Sequence, residues 1–236
     1  MNKEFKRQLV DIALPVTIQC LMQSSLSLID QIMVGRLGSE AIAGVGLAGK
    51  FTSLFSVTLA AIVTVAGILI AQYRGAKDEK GVSDSFFFPL YFSLVLTLIF
   101  SAFSVFIPGR IMAVYADDAV TISKSAVYLK WRTIEFLPSV ITLFVSTMLR
   151  NMNKAKLPAI AGIISIFSNT FFNWLFIFGI WIFPQMEEAG AALATGLARF
   201  IEMMIVLILS LEEYVRLGIS LWLLFSRKWM KNLTKA

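Results

Sequence analysis

The side chain with most capacity for chemistry in this 236-residue chain is Asp30, in the stretch LSLIDQIMVG. No lysine or arginine neighbours it, and the apolar run that contains it begins near Leu9. A carboxylate at membrane depth costs a few kcal/mol on insertion scales, so such an acid faces a partner or a water-filled path. Gln19, Gln23 and Ser27 precede it at spacings of four, four and three, which makes one polar, cavity-lining stripe on a helix. Asn169 and Asn173, four apart, share a face of a later segment, while Thr195 and Tyr128 offer hydroxyls. One carboxylate, two amides and two hydroxyls form a hard-oxygen set. That set suits a proton or a small cation, with Asp30, Asn169 and Asn173 as candidate ligands for sodium. Glu135 is a second acid, expected to line the same cavity or to pair with Arg132 three residues before it.

Other chemistries are poorly supplied. The chain has no histidine, which removes Ser/His and Cys/His nucleophile pairs and histidine metal sites. The single cysteine, Cys20, permits no intrachain disulfide. With no G-x-S-x-G, phosphate loop or metal-ligand cluster in the sequence, no enzyme and no cofactor are expected.

The elements that must hold these groups are membrane helices. Hydrophobic residues make up 58% of the chain and charged residues 15%, against about 45–50% and about 25% in soluble domains. Six stretches are long enough to cross a bilayer, which takes roughly 20 residues: 9–35, 45–73, 86–108, 119–148, 157–183 and 189–211. Continuous apolar runs exclude alternating barrel strands. The fold class is therefore all-α, a polytopic membrane protein with a transmembrane lobe over 1–211 and an amphipathic tail over 212–236. Pro15 and Pro138 sit inside the first and fourth spans, where they should bend helices.

The net charge of +6 is spread in short clusters between apolar runs, which argues for a bilayer partner and against nucleic acid. Lys3, Lys6 and Arg7, then Arg74, Lys77 and Lys80, then Arg150, Lys154 and Lys156 fall on one side. Arg36, Arg110 and Lys124 fall on the other. The positive-inside rule then puts both termini in the cytoplasm and the chain in the cytoplasmic membrane. The N-terminus lacks the short apolar region and cleavage site of a signal peptide. Asp30 lies about 20 residues into the first span, hence about 30 Å along it, in the outer half. Asn169, Asn173, Thr195 and Tyr128 fall at similar depth, so all five can share one layer.

Several stretches carry a family resemblance: ALPVTIQCLMQSSLSLIDQIMVGRLGSEAIAGVGLA, AQYRGAKD, LRNMNKAKLPAI, SNTFFNWLFIFG and EAGAALATGLAR. In order and register they resemble the N-terminal half of the multidrug and toxic compound extrusion (MATE) family of secondary transporters. The resemblance implies one six-helix lobe of a twelve-helix fold, the second lobe being absent from this sequence. It also implies antiport of amphipathic organic cations against sodium or protons, with no cofactor beyond that ion. It places the family's cation-binding acid on Asp30, its helix-bending proline on Pro15 and its paired polar positions on Asn169 and Asn173. The helix 6 threonine falls on Thr195 and the helix 4 tyrosine on Tyr128. Many members carry an aspartate where this chain has Asn173, so a relay between two carboxylates is not expected here.

Two alternatives stand beside this. The chain is a truncated, non-transporting product, or a half that needs the missing lobe or a second copy as a homodimer. Or it resembles the lipid-linked sugar flippases of the same superfamily, which tend to carry cationic cavity residues. The acidic, amide-lined cavity expected here disfavours the flippase.

Overall fold

The computed structural model describes residues 3–216, without the side chains of 3–12, Pro15, Gln19, Gln23, Leu26, Ser27 and 212–216. Its elements are α1 (Lys3–Gly35), α2 (Ser39–Gly75), α3 (Glu79–Phe106), α4 (Pro108–Met112), α5 (Ala119–Arg132), a 3-10 turn (Thr133–Glu135), α6 (Phe136–Asn151), α7 (Lys156–Phe178) and α8 (Glu187–Arg216). No strand occurs among the described residues. Five segments are long and apolar enough to cross a membrane: Ser39–Gly75, Glu79–Phe106, Ala119–Asn151, Lys156–Phe178 and Glu187–Leu211. The first sequence span falls on α1, which is 33 residues long. The protein is an all-α, multi-pass membrane protein.

Local chemistry sets the helix ends. The fourth span, 119–148 in the sequence reading, is two helices joined by the 3-10 turn. Pro138 explains the break, because its ring clashes with the carbonyl four residues back, at Ile134, and offers that carbonyl no N–H. The fifth span stops at Phe178 rather than at 183. Gly179 takes a left-handed φ of 63° there, and the Ile180 N–H returns to the Leu175 carbonyl at 3.0 Å, closing the helix. A Cβ on Gly179 would lie 2.6 Å from the Gln185 nitrogen. The third span ends at Phe106, and Pro108 opens the short α4, a position where its missing N–H costs nothing. The last helix continues through Arg216, past the boundary at 211. The rest of the tail, 217–236, lies outside the described residues.

Two packed regions result. In the first, α2, α3 and α6 enclose Phe55, Leu59, Val63, Phe86, Phe136, Phe144 and Leu149. In the second, the end of α1 and the start of α2 meet α4, α5, α7 and α8 around Val34, Ala41, Ala48, Tyr128, Leu129, Ile177 and Ala192. In lipid, helices associate through close packing rather than water exclusion, so small residues set the approach. At Gly196 a Cβ would lie 2.9 Å from Ile134 Cγ2. Glycine there lets α8 rest directly on the 3-10 turn.

Candidate functional site

The second region surrounds a cavity of about 700 Å³. Asp30, Gln31 and Val34 of α1 line it, as do Gly46 and Gly49 of α2, and a Cβ at either glycine would meet nothing within 4 Å. α5 contributes Tyr128 and Arg132; α7 contributes Ser165, Asn169 and Asn173; α8 contributes Ala191, Thr195 and Arg199. The spacing on each helix explains the convergence. Residues 165, 169 and 173, residues 128 and 132, and residues 195 and 199 are each four apart, so each helix turns one polar stripe inward.

Asp30 is held from α7. Asn173 Nδ2 donates to Asp30 Oδ1 at 2.7 Å, a hydrogen bond that compensates part of the cost of taking a carboxylate out of water. Asn173 is 1% exposed, and its Oδ1 has no hydrogen-bond partner. The Asn169 amide is oriented by its neighbours, with its nitrogen toward α1: it donates to Asp30 Oδ2 at 2.9 Å and accepts from Thr195 Oγ1 at 3.2 Å. An ionised Asp30 then has two amide donors.

The structure brings Asp30, Asn169, Asn173, Thr195 and Tyr128 to one cavity, each from the helix its spacing indicated. It does not bring Glu135. That carboxylate was expected to line the cavity or to pair with Arg132, and the pairing is what the structure shows: its side chain is 10% exposed and lies behind Arg132, whose Nε donates to it at 2.7 Å. A buried carboxylate persists only when paired and hydrogen-bonded, so the guanidinium covers it and faces the cavity in its place. Gln19, Gln23, Ser27 and Pro15 lie on α1, but their side chains are outside the described residues.

Among the lining residues missed from the sequence, two are charged, Arg132 and Arg199. Both stand four residues after a residue the sequence reading had selected, Tyr128 and Thr195. The spacing rule applied to the asparagines would have found them. The expectation of a purely acidic and amide-lined cavity is therefore corrected: two guanidiniums share it with Asp30.

The site thus gathers one carboxylate, amides, hydroxyls and two guanidiniums in one cavity. Among the described residues, no group of three or more His, Cys, Asp or Glu could hold a metal ion. A family model described as MatE matches residues 15–175. The probable multidrug resistance protein NorM of Streptococcus pneumoniae (strain ATCC BAA-255 / R6) is 25% identical over 219 residues. The match covers 93% of this chain and 45% of that protein. A probable NorM of Thermotoga maritima is 29% identical over 203 residues, covering 84% and 43%. A solved structure, described as the outward-facing conformation of a multidrug resistance MATE family transporter of the MOP superfamily, has the same fold. It superposes with a TM-score of 0.78 at 22% identity over 88% of this chain and 46% of that one. The chain spans about half the length of the curated relatives it matches. Since the family match runs over well more than half of its residues, this chain belongs to the MatE family of membrane transporters.

Proposed function

We propose that this chain is the N-terminal lobe of a cation-coupled antiporter that exports amphipathic organic cations across the cytoplasmic membrane. The observation that carries this is the Asp30 carboxylate, bonded by Asn173 in the wall of a cavity large enough for a drug-sized molecule. An organic cation and a coupling ion compete for that one carboxylate, so occupancy by either excludes the other, which is the requirement for exchange. Asn173 and Asn169 both donate to the carboxylate and stabilise it between occupants.

Sodium fits the donor set better than a proton relay does. Asp30 is a single acid, and Asn169, Asn173 and Thr195 carry neutral oxygens beside it; both amides now give their nitrogens to the carboxylate and would have to turn about to present oxygen to an ion. These four residues would hold the ion, and its bound charge would displace a cationic substrate.

The basic clusters that flank α1, α2 and α6 support cytoplasmic termini by the positive-inside rule. Because the chain spans about half of its relatives, the complete transporter requires a second lobe, supplied by further chain or by a second copy. The test places this chain ahead of the second lobe of the pneumococcal NorM relative, in cells lacking other efflux pumps. Asp30→Asn should abolish sodium-stimulated ethidium efflux while membrane insertion and protein level stay unchanged. Efflux at the normal rate from cells carrying that variant rules the assignment out.

A further inference from the structure

The segment between α7 and α8 differs in kind from the other turns. From Leu157 through Met186 the chain holds no charged residue, whereas the turns at 36–38, 76–78, 113–118 and 152–155 carry Arg36, Lys77, Asp117 and Lys154. Its tip is large, apolar and bare: Trp181 is 79% exposed and Ile182 89%. Its root is fixed. The Met186 N–H donates to the Phe176 carbonyl at 2.9 Å. The Phe183 ring meets the Phe176 ring edge-on, with 5.2 Å between centroids. Gly179 lies against Gln185 with no room for a Cβ.

Trp181 also has a φ of 63°, and a bulky side chain enters that left-handed region only at a cost in backbone energy. A clamped loop thus holds two apolar side chains out from the packed helices, and continuity with α7 says what meets them. Ile160, Ile164, Phe167, Phe171 and Trp174 are all exposed. Their spacings of four, three, four and three make one apolar stripe along the helix. Ser165, Asn169 and Asn173, which line the cavity, fall on the opposite side of α7 at 3.6 residues per turn. The stripe is therefore the face that α7 turns to acyl chains, and the loop begins one helical turn after its last member. A protein partner fits the tip poorly. A stable protein–protein contact takes about 800 Å² from each side, far more than two side chains supply. Entry into a bilayer interface needs apolar area and no matched shape, and an indole there keeps its N–H in the headgroup layer.

We propose that the α7–α8 loop is a membrane anchor, and that Trp181 and Ile182 sit in the headgroup–acyl boundary of the leaflet at that end of α7. The partner is a lipid surface recognised by its apolar boundary and not by its charge, because the loop has no lysine or arginine to read a phosphate and no acid to be repelled by one. The root ties this anchor to α7, the helix that carries Asn169 and Asn173. The proposal holds whatever the lobe transports.

The test is depth-resolved quenching. Replacing Trp131, Trp174, Trp222 and Trp229 with phenylalanine leaves Trp181 as the one indole. The full chain is then placed in phosphatidylcholine nanodiscs that carry a doxyl quencher either near the headgroup or near the chain ends. The shallow label should quench Trp181 about twofold or more strongly than the deep one, as for an indole at headgroup level. Aqueous acrylamide should quench it far less than it quenches free tryptophan. Replacing half of the phosphatidylcholine with phosphatidylglycerol should leave the ratio of shallow to deep quenching unchanged. A nitroxide on Ile182→Cys in a Cys20→Ser background keeps every native tryptophan and gives a second reading. Oxygen should relax it more than an aqueous nickel chelate does. Strong acrylamide quenching without doxyl quenching puts the loop in water and overturns the proposal. Protection from both quenchers puts the tip against protein, either a second copy or the mouth of the cavity, and overturns it as well. A quenching ratio that follows the phosphatidylglycerol content overturns the claim that the contact is blind to lipid charge.

Discussion

The apolar packing of α2, α3 and α6 and the cavity wall of α1, α5, α7 and α8 handle buried polarity differently, apart from Asn151 Nδ2 of α6, which reaches the Gly67 carbonyl of α2 at 3.3 Å. In the first, Thr97 donates back to Ser93 of its own helix at 2.7 Å, and the hydroxyls of Ser93, Ser104 and Thr142 have no partner. In the second, polar groups reach across helices: Asn173 to Asp30, Asn169 to Thr195, and Ser165 to the Ala198 carbonyl at 2.9 Å. A hydroxyl that bonds within its own helix asks nothing of its neighbours. A bond between helices fixes their register and breaks if they shift. The first region should therefore govern whether the lobe holds together, and the second what it binds.

The sharpest way to break that division is Phe136→Ala. Phe136 is 1% exposed and lies 4.6 Å from the Phe55 ring, centroid to centroid. Its removal should cost about 3 kcal/mol of stability from the cavity it leaves, read as a lower midpoint of thermal unfolding in detergent. Ethidium affinity measured well below that midpoint should be unchanged. Loss of binding without loss of stability would merge the two regions. Gly196→Val comes next, at about 1–3 kcal/mol of overpacking, because its Cβ would sit 2.9 Å from Ile134. Ile134→Ala should restore much of that stability. If it restores none, the contact is not what sets the approach of α8. A smaller effect is expected for the Asp30–Asn173 pair. A double-mutant cycle of Asp30→Ala and Asn173→Ala should give a coupling between about 0.6 kcal/mol, the average for hydrogen bonds between membrane helices, and about 1.7 kcal/mol, the largest. A coupling near zero would mean that Asn173 serves packing alone.

The contrast also explains what was legible in the sequence. The helical class follows from apolar run length, a local property, and the grouping of Asp30, Asn169, Asn173, Thr195 and Tyr128 from the depth that span limits and basic loops assign to each. The split at Thr133–Glu135 was half legible. Pro138 was noted as a bend, but a tightened turn three residues upstream depends on which carbonyl the ring strikes. The roles of Glu135 and Arg132 were not legible. Their ion pair could be read from the spacing of three, yet which member faces the cavity depends on how deep each side chain sits. That is set by Gly196 and α8, some sixty residues away in sequence. The same holds for Arg199, whose pairing with Glu202 is local while its cavity position comes from tertiary packing.

The smallest expected effect tests whether the start of α5 stands apart from both regions. Asp118 caps that helix by accepting from the Thr121 N–H at 2.8 Å. That backbone bond is the main reason its carboxyl is held below the ordinary aspartate value. A group with a depressed folded pKa adds stability that is present above its unfolded value, about 3.9, and is lost as pH falls through the folded pKa. Asp118→Asn keeps an N-cap acceptor but removes the titration. The thermal midpoint of the parent should therefore exceed that of the variant at neutral pH by a small, constant gap. The gap should begin to close below about pH 4 and continue closing as pH falls through the lowered folded pKa. Ethidium affinity should be the same in both proteins at neutral pH, because this cap lies more than two helical turns before Tyr128 and its hydrogen bond stays within α5. A variant that loses affinity would show that the orientation of α5, and with it Tyr128 and Arg132, depends on the exposed cap as well as on the packing of Gly196 against Ile134.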